Sequence, residues 1–162
     1  MKTIASVLVL LGFVLLPVVV GGLSGFATAS GLGSWYAGLA KPPFNPPSWV
    51  FGPVWTVLYL LMGFSAWRVF RTFDGFGAFM ASPAAGVYLA QLGLNFAWSI
   101  LFFGIRRPDW AFGEILVLWI AILAMIRLFW LRDPLAGWLQ APYLCWVSFA
   151  SVLNGTIWWL NR

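Results

Sequence analysis

Charge is nearly absent from this chain, and nothing else about it constrains the fold as much. Nine Lys and Arg and four Asp and Glu make 8% of 162 residues, where an average soluble domain carries about a quarter charged side chains. So few charges cannot cover a water-facing exterior, and 62% of the chain is hydrophobic. The solvent it is built for is lipid. The apolar stretches are continuous and do not alternate with a period of two, which selects helices over a lipid-facing barrel. A bilayer core about 30 Å thick takes roughly 20 residues per helix, leaving no room for a soluble domain.

The expectation is an all-α integral membrane bundle of five transmembrane helices forming one domain over residues 1–162. The spans are predicted at about 4–26, 49–70, 82–103, 109–131 and 135–160. Lys2, the apolar run from Ile4 to Val20 and the ATA at 27–29 imitate a cleavable signal peptide. That run, however, is longer than the roughly 7–15 residues of a signal core, so it is retained as the first span. In it, Gly21 and Gly25 have the small-residue spacing that lets helices approach closely. The first loop, 27–48, ends in AKPPFNPPSW, whose four prolines favour extended geometry and an ordered lid. Pro142 is expected to bend the fifth span. On an odd span count, Lys2, Arg68, Arg71, Arg127 and Arg132 face Lys41, Arg106, Arg107 and Arg162 across the membrane, too even a split to orient the chain. The net charge of +5 is scattered beside the spans rather than clustered, the pattern of membrane flanks and not of a nucleic-acid surface.

Helical spacing places Gln91, Asn95, Trp98 and Ser99 on one side of the third span, Trp55, Tyr59 and Met62 together on the second, and Trp146, Ala150 and Asn154 on the fifth. Amides in hydrocarbon require partners, so Gln91, Asn95 and Asn154 are expected to face the bundle interior or a cavity, either to bind a ligand or to join helices. Of the twelve tryptophans, Trp49, Trp67, Trp110, Trp130, Trp138, Trp158 and Trp159 lie near span ends, as interfacial anchors do. Trp55, Trp98, Trp119 and Trp146 lie deeper, where an indole either packs or stacks on a planar ligand. Cys145 reads as a buried, inert thiol. Glu114 is the one carboxylate well inside a span; it is placed at the interface near Arg106 or Arg107, with a proton relay or a bond to a ligand amine as the alternative. No His and a single Cys exclude a His-ligated haem or tetrahedral zinc site within the chain. No phosphate-binding loop or nucleophile triad is present.

The stretches WYAGLAKPPFNPPSWVFGPVWTVLYLLMG, QLGLNFAWSILFFG and APYLCWVSFASVLN, in this order, resemble the TspO/MBR family of tryptophan-rich sensory and translocator proteins along nearly the whole chain. The resemblance implies a five-helix bundle, often a homodimer, with a pocket closed by the first loop. Its ligands would be porphyrins, with sterols and benzodiazepine-type drugs bound by some members. It implies ligand-binding roles for Phe44, Trp55, Tyr59, Asn95, Trp98, Trp110 and Ala150. Trp35 and Trp146 fall at positions tied to porphyrin handling, and any catalysis would rest on them. Two departures matter. Phe44 stands where the loop motif usually has Trp, and Gly155 and Trp159 replace the Tyr and Arg of the animal sterol motif. The function implied is a membrane tetrapyrrole-binding sensory or regulatory protein, with protoporphyrin IX as ligand or substrate and no resident cofactor or metal. Light-dependent porphyrin breakdown, transport of porphyrin-like hydrophobic ligands, and an assembly subunit without a ligand are the alternatives. Its expected setting is a bacterial cell membrane.

Overall fold

The computed structural model describes residues 2–31 and 33–162; the side chain of Lys2, counted above among the flanking charges, lies outside the described residues. Every regular element described is helical: α1 (Lys2–Gly31), α2 (Ser34–Gly38), a 3-10 turn (Ser48–Val50), α3 (Phe51–Phe70), α4 (Phe76–Met80), α5 (Pro83–Ser99), a π-helical turn (Ile100–Gly104), α6 (Pro108–Arg132), α7 (Pro134–Trp138) and α8 (Ala141–Leu160). Among the described residues, four segments are long and apolar enough to cross a membrane: Ile4–Ala29, Ser48–Phe70, Pro83–Gly104 and Pro108–Arg132. Each begins and ends within one helical turn of its predicted span.

The fifth predicted span differs. Residues 135–160 do not form one helix, because α7 stops at Trp138 and α8 restarts at Ala141. Pro142 has no N–H to give and its ring would strike the carbonyl four residues back, so the chain breaks and uses Pro142 in the first turn of a new helix. A bend was expected there; the structure has a break. α8 is 20 residues long, but Tyr143, Trp146, Asn154, Trp158 and Trp159 dilute its apolar character, and it is not among the four segments above.

The first loop is also shorter than its predicted bounds. α1 continues to Gly31 because the polar residues that close the apolar run bond within the helix: the Ser24 hydroxyl donates to the Val20 carbonyl (2.9 Å) and Thr28 to Ser24 (2.8 Å).

The long helices form a circle in the order α3, α1, α5, α6, α8, and α7 is wedged between α3 and α6. The tightest crossing is at Gly63 of α3, where a Cβ would sit 2.5 Å from both the Phe13 carbonyl oxygen and the Val14 Cα of α1. The sequence placed that close approach at Gly21 and Gly25. Gly25 instead faces open space, and a Cβ on Gly21 would run into the Tyr59 ring.

Away from the first loop the core is solid, with Met62, Ala66, Val69, Ile122, Met125 and Phe129 fully buried. Its end is pinned by Asp133, which pairs with Arg68 (2.7 Å) and accepts from the Leu135 and Ala136 amides at the start of α7. The Ser65 hydroxyl donates to the Ala136 carbonyl at 2.7 Å. Trp49, Trp110, Trp138 and Trp159 are exposed near the helix ends, as interfacial anchors should be.

Candidate functional site

Three helices contribute polar side chains to one buried chain of hydrogen bonds. The Tyr59 hydroxyl on α3 donates to Asn95 Oδ1 (2.7 Å), Asn95 Nδ2 on α5 donates to the Tyr143 hydroxyl (3.1 Å), and Tyr143 on α8 donates to Gln91 Oε1 (3.0 Å). Each amide has a partner, which removes most of the cost of placing it in an apolar interior. Asn154 makes a second link: it accepts from Trp98 Nε1 (3.0 Å) and donates to the Pro108 carbonyl (2.8 Å), tying α8 to α5 and to the start of α6. Gln91 therefore joins helices, whereas Asn95 and Asn154 both join helices and face a cavity.

That cavity has a volume of about 460 Å³, inside the range of roughly 300–1,000 Å³ typical of small-molecule sites. Its walls are Trp55 and Tyr59 of α3, Asn95, Trp98 and Ser99 of α5, and Trp146, Ala150 and Asn154 of α8. Trp55 and Tyr59 stack on each other at 5.3 Å between ring centres. Among the described residues no Lys, Arg, Asp or Glu is in the lining. In the wall, Trp146 Nε1 is buried and has no hydrogen-bond partner. The indoles of Trp98 and Trp119 are both bonded, the latter to the Ser148 hydroxyl at 2.8 Å.

The first loop roofs the cavity. Tyr36 is buried against Phe102 and Phe103, and its hydroxyl donates to Asn45 Oδ1 at 3.0 Å. Burial pushes the Tyr36 phenol above its ordinary range, and the bond to Asn45 offsets part of that. Lys41 lies over the Tyr36 ring, 4.8 Å from its centre, and donates to the Ala37 and Leu39 carbonyls. The loop is latched to the end of α8 by a pair of bonds: the Ala40 N–H donates to Asn161 Oδ1 (3.0 Å) and Asn161 Nδ2 donates to the Ala40 carbonyl (2.9 Å).

The cavity thus brings together Trp55, Tyr59, Asn95, Trp98, Trp146 and Ala150. Three other sequence-selected residues lie elsewhere. Trp35 packs edge-on against Phe102 (5.8 Å), behind the wall. Phe44 is half-exposed and leans on Phe149 (6.4 Å). Trp110 is 59% exposed and lies under the Arg107 guanidinium. Sequence reasoning missed the contribution of α1, whose Val18, Gly21, Ser24, Gly25 and Thr28 form one side of the cavity. The signal was a stripe of small and hydroxyl residues at helical spacing in an otherwise apolar span. It also missed the π-helical turn, which carries Phe102 and Phe103 beneath the roof. Such turns are frequent at functional sites.

Two further expectations are corrected. Glu114 pairs with neither Arg106 nor Arg107; Arg107 is taken by Asp109 (2.6 Å), two residues on, and both Glu114 carboxylate oxygens are buried without a hydrogen-bond partner. Cys145 is exposed, not buried, because it lies on the outer side of α8, away from the buried face of Tyr143, Val147 and Asn154. Among the described residues no three His, Cys, Asp or Glu side chains gather where they could hold a metal.

Residues 13–160 match the model of the TspO/MBR family. The chain is 40% identical over 164 residues to the tryptophan-rich protein TspO of Archaeoglobus fulgidus, covering 99% of this chain and 97% of that one. It is 42% identical to the human translocator protein over 135 residues, 83% of this chain and 79% of that protein. It is 41% identical to the tryptophan-rich sensory protein of Cereibacter sphaeroides over 120 residues, 74% and 72% of the two chains.

Proposed function

Because this chain belongs to the TspO/MBR family of multi-pass membrane proteins, we propose that its cavity binds a planar, largely apolar tetrapyrrole such as protoporphyrin IX, and that the protein acts as a membrane sensor or regulator of that ligand. The observation that carries this reading is the unpartnered indole N–H of Trp146 in an uncharged wall of aromatic rings, neutral amides, hydroxyls and small or aliphatic residues. Aromatic faces suit a flat π-system, and a buried donor without a partner gains about 1 kcal/mol or more when a ligand supplies an acceptor. With no charged side chain in the lining, the propionates belong at the roof, where Lys41 stands beside Tyr36. Direct metal ligation has no part in this mode of binding.

In this reading α8 is the fifth membrane span. Its 20 residues reach about 30 Å at 1.5 Å per residue, the thickness of a bilayer core, and it lies along α6. Homodimerisation belongs to the same reading. α1 has the most free surface to offer a second copy, since only 11% of its span window is buried against 33%, 39% and 28% for the other three.

Titration of intrinsic tryptophan fluorescence with protoporphyrin IX and, separately, with haem tests the proposal. Saturable quenching is expected, with the metal-free ligand binding at least as tightly as haem. Absence of saturable binding, or clearly tighter binding of haem, would overturn it.

A further inference from the structure

We infer that apolar ligands reach the cavity sideways from the bilayer, through the seam between α3 and α8, and that Trp146 is the door. The inference rests on reading the cavity as a ligand site but not on the identity of the ligand.

The circle of helices is closed by close backbone packing at α3–α1, α1–α5, α5–α6 and α6–α8, whereas α3 and α8 scarcely approach each other. Side chains alone fill that seam. Phe51 meets Trp146 edge-on at 5.8 Å, Trp146 meets Phe149 at 5.6 Å, and Trp55 meets Tyr143 at 6.1 Å. On the outer side of the seam is a groove of about 590 Å³, open to the surroundings and lined by Pro53, Val54, Val57, Pro142, Cys145 and Phe149 among others. No charged residue lines it. Trp146 stands in the wall of both the groove and the cavity, so one side chain separates the two spaces.

That side chain is also free to move. Its indole has no hydrogen-bond partner, so turning it breaks ring contacts of the kind worth about 0.5–1.5 kcal/mol each and no polar bond. The other routes are held more firmly. Below the groove, α7 seals α3 through the Ser65–Ala136 bond and the Arg68–Asp133 ion pair. Above it, the loop is held by the two-way bond between Ala40 and Asn161 and by the Tyr36–Asn45 bond. A molecule dissolved in lipid therefore meets an unlatched aromatic door, whereas one in water meets a latched roof. The class admitted is flat, apolar and without charge on the edge that enters first, since neither side of the door offers a counter-ion.

A thiol inside the cavity reads access without any natural ligand. In a Cys145→Ser background, Ala150→Cys places the only thiol in the cavity wall. In lipid nanodiscs, its rate of reaction with the lipid-soluble reagent pyrene maleimide is compared among three added changes. Val57→Trp fills the outer lip of the groove, where Val57 is 54% exposed and a larger side chain is accommodated outward; labelling is expected to slow at least tenfold. Trp146→Ala removes the door and is expected to speed labelling several-fold, which tests the route even if the groove-filling variant does not fold. Asn161→Ala releases the roof and is expected to leave the rate within twofold. Unchanged labelling in Val57→Trp and Trp146→Ala overturns the seam as the route, and so does a several-fold faster rate in Asn161→Ala alone. Because no porphyrin is involved, these rates stand apart from the fluorescence titration.

Discussion

The half of the bundle beneath the first loop and the half beyond it are built from the same helices under different rules. Beyond the cavity, backbones meet directly: Gly63 lets α1 and α3 touch, Gly137 fits against Trp130, and α7 is pinned by Ser65 and Asp133. Beneath the loop, α3 and α8 stand apart and aromatic side chains span the distance, with Trp55, Trp98 and Trp146 around open volume. One half resembles a protein interior at full packing density. The other gives up packing contacts to keep a space, and its order comes from hydrogen bonds between Tyr59, Asn95, Tyr143 and Gln91.

Substitutions in each half should separate these rules. The largest effect is expected at Gly63→Ala, where the added methyl meets α1 backbone that cannot give way; a loss of about 2–3 kcal/mol should appear as a clearly lower melting temperature in detergent. The same change at Gly25, which faces open space in the cavity half, should leave melting unchanged or raise it slightly, since Ala favours a helix by up to about 1 kcal/mol. Equal losses at the two glycines would erase the distinction. Next in size, Asp133→Ala removes the α7 cap and should cost about 1–2 kcal/mol, read by chemical denaturation. Asp133→Asn, which keeps a capping oxygen, should cost less than half as much.

In the cavity half, Trp146→Phe keeps an aromatic ring but deletes the unpartnered N–H. Melting should stay within about 0.5 kcal/mol of the parent, while protoporphyrin affinity, followed by the fluorescence titration, falls about three- to tenfold. A fall in stability without a change in affinity would mean that the indole is structural. The smallest effect is expected at Asn161→Ala: global stability barely moves, but hydrogen exchange at the Ala40 amide accelerates as its acceptor is lost.

The four long spans were legible because continuous apolar runs bounded by charge or proline leave little choice in a bilayer. The inward face of Asn95, Trp98 and Asn154 was legible for the same reason, since period and polarity agreed. The break before α8 was not, because a proline in an apolar run is compatible with either a kink or a fresh start. Cys145 was misplaced since a thiol with apolar neighbours on every side carries no directional signal. Glu114 was assigned to the nearest arginines in sequence, but Arg107 closes on Asp109 within two residues, a local bond that outcompetes a partner on the next turns. The part of α1 in the cavity was hidden in Gly21, Ser24, Gly25 and Thr28, residues that read equally as packing positions.

The latch between Ala40 and Asn161 spans 121 residues of chain. During synthesis Ala40 emerges long before its partner, so the roof cannot fasten until α8 has been made and has docked. Bonds between such distant positions form late. The cavity therefore cannot be roofed before α8 has folded, which makes a fastened roof a marker that all five long helices are in place.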